Sequence, residues 1–267
     1  MSRTVKVRPV TETTLYKVLG KDRQPVHGGV GQWPEPGEWH SVAPPIIPCE
    51  RGLHVCMVDD LIAWVRDGVT LWAVEVAGER IAHAGKVVVE RARLLECIGP
   101  VSPVVLCLWA CDCAERVAHV AGDVEPVCRE AIRVARLAVM GLATHDQLAA
   151  ARVAARDAAR AVAGDAARSA ARAAAWAAQS AAGDVARAAA RADALAAARA
   201  VARDGAWAAA RAAERAAAGD AAWNAARYGA WATARYAAWA AERAAERAWQ
   251  GARLIDIVRR EARVVAA

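Results

Sequence analysis

From Ala151 to Arg247 a large or special residue recurs at every fourth position, and alanine fills most of the places between. One row runs Arg152, Arg156, Arg160, Gly164, Arg168, Arg172, Trp176. After one dropped residue, a second row begins at Gln179 and continues through Arg187, Arg203, Trp207, Arg215, Trp223, Trp231 and Trp239 to Arg247. Alanine has the highest intrinsic helix propensity, so this stretch is close to compelled to be helical. Four residues turn an α-helix by about 400°, so each step of the row drifts about 40° around the axis. The row therefore keeps to one face for only about 16–20 residues. Glycine–aspartate pairs at Gly164–Asp165, Gly183–Asp184 and Gly219–Asp220 supply a helix stop followed by a cap, with Arg203–Asp204–Gly205 and Gly229 as weaker breaks. This predicts short helices stacked antiparallel, with a single long rod as the rival.

Before that stretch the pattern is different. Thr13–Leu19 alternates and is rich in β-formers, and Val69–Val76 is the strongest strand signal in the chain. Shorter strands are expected at Gly52–Cys56 and Lys86–Val89, with Ala92–Cys97 as a continuation. Gly28–Pro48 reads as a loop ordered by Trp33 and Trp39, and Val58–Arg66 as a helix opened by Asp59 and Asp60. Pro100 and Pro103 mark a linker, after which Val104–Val120 and Val127–Met140 take a helical period. The expected fold class is mainly α: a small α+β domain over 1–98, an alanine-rich antiparallel helical array, solenoid or bundle-like, over 104–260, and a frayed tail over 261–267.

Composition narrows the function classes. The hydrophobic content of 57% is inflated by alanine, which buries little area. No run of about 18 apolar, uncharged residues is present and Met1–Val10 has no apolar signal core, so a cytoplasmic protein without membrane spans is expected. Seven cysteines without a paired framework read as free thiols. The net charge is +6, and the surplus lies in the alanine-rich part, where residues 151–250 hold 15 arginines against 9 acids. That surplus could attract nucleic acid or an acidic partner, or it could simply solubilise an alanine surface.

Candidate chemistry is sparse. Cys107, Cys111 and Cys113 do not have the ligand spacing of a zinc site and read as buried thiols. Cys49, His54 and Cys56 cluster near one turn without a third orienting group. Tyr16, His54 and Glu75 fall on separate expected strands and could line an NAD cleft. No metal site and no resident cofactor is expected. In the array, Trp207, Trp223, Arg227, Trp231, Arg235 and Trp239 are candidate partner-binding residues, with packing between alanine helices as the plainer role.

Two stretches carry resemblances. Tyr16-Lys17-Val18, Gly52-Leu53-His54-Val55-Cys56, Trp72-Ala73-Val74-Glu75-Val76-Ala77-Gly78 and Lys86-Val87-Val88 resemble an uncharacterised amino-terminal domain of phage and bacterial repeat proteins. Leu108–Val117 (LWACDCAERV) followed by Arg129–Arg136 (REAIRVAR) resembles an alanine-rich immunity-protein family of the toxin-immunity type. Where that family has R-P-R before its second helix, this chain has Val127-Cys128-Arg129. The second resemblance implies an all-helical fold over 104–258.

The expectation is a non-enzymatic interaction module, phage-associated or of toxin-immunity type, that docks a protein partner and could self-associate. The alternatives are a small NAD-handling transferase or hydrolase in the first 98 residues, and nucleic-acid binding by the basic array.

Overall fold

In the segment Leu15–Leu19, branched and aromatic side chains leave little choice but a strand, β1, and its two faces are both buried apart from one position, Lys17. The computed structural model describes residues 14–29, 31–83, 85–162, 164–180 and 221–266, with side chains of the last helix described from Ala240 onward. Two compact units emerge: Met1–Val101 with Val258–Ala267, and Ser102–Ile257.

The first unit is a five-stranded antiparallel sheet. Its strands are β1, β2 (His40–Ser41), β3 (Leu53–Val55), β4 (Val69–His83) and β5 (Lys86–Val101). The order is β1-β4-β5-β2, and β3 also pairs with β5. β4 and β5 form one long hairpin from Val69 opposite Val101 to His83 opposite Lys86, interrupted by three shifts of register. A pair of backbone hydrogen bonds between Tyr16 and Cys56, 2.8 and 3.0 Å, links the end of β3 back to β1. Backbone pairing thus runs in a circuit through β1, β4, β5 and β3, closed by that one bridge. Leu15, Leu19, Trp33, Leu53, Val55, Val74, Val87, Val89, Ala92 and Leu94 form the core of this unit. Helix α1 is a single turn, Val58–Leu61.

Gly52 is fixed by space. Its φ is +144°, and a Cβ there would stand 2.3 Å from Val88 Cγ1. Only glycine lets β3 approach β5 this closely. At Gly99, φ +146°, a Cβ would stand 2.9 Å from the Ala262 methyl, so the C-terminal residues lie directly against β5. There Val258 is fully buried and Arg259 pairs with Glu96 at 3.2 Å.

The second unit contains α2 (Pro103–Ala118), α3 (Glu125–Val139), α4 (His145–Ala161), α5 (Asp165–Ser180) and most of α6 (Ala221–Ala266). Ser102 caps α2 through its hydroxyl, with proline at the first helical position. Thr144 and Gln147 cap α4 reciprocally. Helix α5 packs against α2, α3 and α4. Ala170, Ala171, Ala173, Ala174, Ala175 and Ala178 are all buried, since a methyl side chain lets neighbouring axes come close on several sides.

The expected mainly-α class is overturned. Among the described residues the protein is mixed, with a five-stranded antiparallel sheet beside the helices. Two local signals misled. The strand expected over Val69–Val76 runs on through Gly78 to His83, and the strand expected to end at Cys97 runs on through Gly99 into the expected linker, where register shifts and positive φ absorb both glycines. In the other direction, α6 runs 46 residues without interruption through Gly229 and Gly251. Glycine inside a helix costs only about 1 kcal/mol relative to alanine, too little to stop a helix with alanine on both sides. The breaks expected at Gly183, Gly205 and Gly219 lie outside the described residues. Among the described residues no helix is long and apolar enough to cross a membrane.

Candidate functional site

Lys17 is the residue that departs from its strand's pattern. Leu15 and Leu19 on either side of it belong to the core. Alternation along the strand turns Lys17 the same way, so an ammonium stands where a hydrophobe would be expected. Its Nζ donates a 2.8 Å hydrogen bond to the carbonyl of His54 and sits 4.9 Å from the centre of the Trp33 ring. Burial pushes the Lys17 amine down to about 8.

This amine lines a cavity of about 520 Å³ in the first unit, shared with Trp33, His40, Arg51, Trp64 and Lys86. The volume lies within the roughly 300–1,000 Å³ range of small-molecule sites. Trp33 is held by the turn before it. Its amide donates to the Arg23 carbonyl at 3.1 Å, and Arg23 Nε donates back to the Trp33 carbonyl, also at 3.1 Å. Glu35 pairs with the same guanidinium. His40 meets the Trp33 ring edge-on at 5.3 Å. At the rim, Trp64 Nε1 donates to the Gly85 carbonyl at 2.8 Å, and His27 stands edge-on to the Trp64 ring at 5.2 Å.

The electrostatics are one-sided. Lys17, Arg51 and Lys86 line the cavity, against one carboxylate, Glu50. Burial and then the Lys17 charge push His40 below its ordinary value. Burial, then Lys86, Lys17 and His83, do the same to His54. Both imidazoles are thus neutral at physiological pH. His40 Nδ1 and His54 Nε2 are buried and have no hydrogen-bond partner. A buried polar atom without a partner is costly, and a ligand that supplies one recovers that cost.

The sequence-predicted residues distribute as follows. Tyr16 and His54 both border the cavity, but Tyr16 is 1% exposed, and β3 alternation turns the His54 ring to the side opposite Leu53 and Val55. Glu75 is not among the lining residues. Its carboxylate accepts from Arg93 Nε and Nη2 at 3.0 and 2.7 Å. Tyr16 and His54 therefore border one cavity, and Glu75 does not join them. Cys56 is inert: burial pushes its thiol up to about 12, and its Sγ faces the Tyr16 carbonyl at 3.6 Å. Cys49 lies beside Lys86 Nζ, 3.4 Å, and His83 Nε2, 3.9 Å, rather than beside His54. Cys107, Cys111 and Cys113 are buried in α2. Among the described residues no group of histidine, cysteine and carboxylate side chains could hold a metal ion. Trp207 lies outside the described residues, as do the side chains of Trp223, Arg227, Trp231, Arg235 and Trp239.

The sequence places Lys17 and Lys86 in expected strands and within a resemblance without a role for either, offers Trp33 only as a loop anchor, and does not mark His40. One signal was available. The chain has only four lysines, and one of them interrupts a buried strand face.

Fold and site together define a two-unit protein of mixed α and β structure whose sheet unit holds a cavity lined by Lys17, Arg51 and Lys86. No protein-family profile, no curated protein and no solved structure matches the chain.

Proposed function

We propose that the first unit binds a small organic anion with a planar ring, of the nucleotide class, in the cavity that Lys17 lines. The reading continues the nucleotide-handling alternative raised by the sequence, with a different set of residues. One observation carries it: the Lys17 ammonium is taken out of bulk water, and among the described residues it meets one carbonyl and one indole and pairs with no carboxylate. A buried cation without a counter-charge is unfavourable, and an incoming phosphate or carboxylate supplies that charge. Arg51 and Lys86 add attraction at the same cavity, the unpartnered His40 Nδ1 supplies a polar contact, and the Trp64–His27 pair offers a rim against which a ring can lie.

Calorimetric titration of the full chain with ADP, ADP-ribose, NAD and inorganic phosphate tests this. Binding of a ring-bearing anion is expected at neutral pH, weakened about tenfold or more in Lys17→Met, as for loss of a charged hydrogen bond. Affinity is also expected to fall as pH rises through about 8, where Lys17 loses its proton. No binding by any of the four, or binding indifferent to Lys17→Met, removes the reading.

The docking role expected of the helical array rests on tryptophans whose side chains lie outside the described residues, and no observation here favours it over the cavity.

A further inference from the structure

We infer that Lys17 is an imine-forming amine, which captures anions that carry an aldehyde within this cavity. The inference rests on the cavity accepting an organic anion, and it adds the chemistry that follows.

The argument is geometric first. A lysine that attacks a carbonyl must be reachable, held in place and shielded from competing carboxylates. Lys17 lines the cavity, so a ligand can reach it. The His54 carbonyl and the Trp33 ring fix the position of Nζ. The charged and titratable groups that share the cavity with it are Tyr16 of β1, His27, Cys49, Glu50 and Arg51 from the loops, His40 from β2, His54 from β3, Cys56 just after β3, and Lys86 from β5. Glu50 is the one carboxylate among them, and Lys17 Nζ donates to the His54 carbonyl instead. Lys86, the other lysine at the cavity, is instead engaged with the Cys49 thiol at the exposed rim.

Burial supports the assignment. With its value lowered to about 8, Lys17 is about one-quarter free amine at pH 7.5, whereas an ordinary lysine is about 0.1% free amine. The free amine is the reactive form.

The step balances without a co-reactant. The nitrogen lone pair forms a C–N bond to the aldehyde carbon, and the carbonyl oxygen takes a proton to give a carbinolamine. The nitrogen gives up its two protons in turn, the second passes to the carbinolamine hydroxyl, the C–O bond breaks as the nitrogen lone pair forms the C=N bond, and one water leaves. His40 is placed to carry these protons. It is neutral, it stands edge-on to the ring that covers Lys17, and its Nδ1 is buried without a partner. Arg51 and Lys86 line the same cavity and hold the anionic group.

The test uses the full chain with pyridoxal 5′-phosphate, which combines a planar ring, a phosphate and an aldehyde. Pyridoxine 5′-phosphate, which has an alcohol in place of the aldehyde, is the control. After borohydride reduction, peptide mass spectrometry reports which of Lys6, Lys17, Lys21 and Lys86 carries the adduct. Lys17 is expected to be labelled at least about tenfold faster than the others at neutral pH, given its larger free-amine fraction. In Lys17→Arg that adduct disappears, and pyridoxine 5′-phosphate binding is read on the parent protein. In the unmodified protein the labelling rate rises with pH and levels off near 8, a readout that needs no variant to fold.

Equal labelling of all lysines, or a rate still climbing beyond pH 9, overturns the inference. If pyridoxine 5′-phosphate binds in that case, the anion-binding reading stands alone. If it does not bind, that reading falls as well.

Discussion

A cation on a strand's inward face sets up a sharp test at the level of one residue. Lys17 lies between Leu15 and Leu19 and touches the Trp33 ring. Its folded value, about 8, is below the ordinary 10.5. The sign follows from proton uptake. Between pH 8 and 10.5 the unfolded chain holds a proton on Lys17 that the folded chain has released, so stability gains from this residue as pH rises through that window. Below pH 8 the burial cost of the charge is fully present. The difference in unfolding free energy between the parent and Lys17→Met should therefore shift in the parent's favour by about 3 kcal/mol from pH 8 to 10.5. With ¹³C at the lysine ε-carbons, one resonance of the four should titrate near pH 8 and be missing from the variant. Four resonances that all titrate above pH 10 would show that Lys17 is solvated.

Among the elements of the second unit, buried ion pairs fix which helices meet. Asp112 of α2 accepts from Arg136 of α3 at 2.8 Å and from Arg253 of α6 at 2.7 Å. Nearby, Glu246 of α6, 5% exposed, takes Arg116 Nε at 2.8 Å, and Trp109 Nε1 donates to the Gln250 carbonyl at 2.9 Å. The Arg116 guanidinium also lies 4.4 Å from the Trp249 ring centre. One carboxylate that serves two arginines is hard to replace, since its loss takes from Arg253 its carboxylate and leaves Arg136 with Glu115 at 3.2 Å. Asp112→Asn should lower the urea unfolding free energy of this unit by about 2–3 kcal/mol, with little change in helix content by circular dichroism. A loss under about 0.5 kcal/mol would mean that the arginines are satisfied by water. Asp112 stood in the sequence inside a helix-period segment, and its type marked it as polar. Its two partners lie 24 and 141 residues away, and no local pattern links them.

At the scale of the whole molecule, the thiols report how much of the chain is packed. Of seven cysteines, Cys49 and Cys97 are exposed, and Cys56, Cys107, Cys111, Cys113 and Cys128 are buried. A disulfide-exchange reagent should therefore titrate two thiols in the native protein and seven in denaturant. Fast reaction of more than two would show that a unit opens readily. The buried thiols also set an alkaline limit. Burial pushes Cys56 up to about 12 and Cys128 up to about 11, from an ordinary 9.0. The folded state keeps these protons where the unfolded chain releases them. Their contribution is therefore whole below pH 9 and is lost as pH rises through 11 to 12. The melting temperature should decline steadily above pH 9, and Cys128→Ala should flatten part of that decline.

Local chemistry alone dictated the helical character of the alanine tetrads, the strand character of Leu15–Leu19 and Val69–Val76, and the change of period near Pro103, because propensity and periodicity act over a few residues. The same local view ended β4 and β5 too early and mistook the overall class. Whether a glycine stops an element depends on what its neighbours in space can absorb, and Gly78, Gly99 and Gly229 are each carried inside one. The cavity was a matter for tertiary structure. Lys17 and the His54 carbonyl are 37 residues apart in sequence, and they meet because β1 is bridged to the end of β3 across a sheet whose long hairpin has shifted register. Pairing over such distances is set by the balance of the whole core.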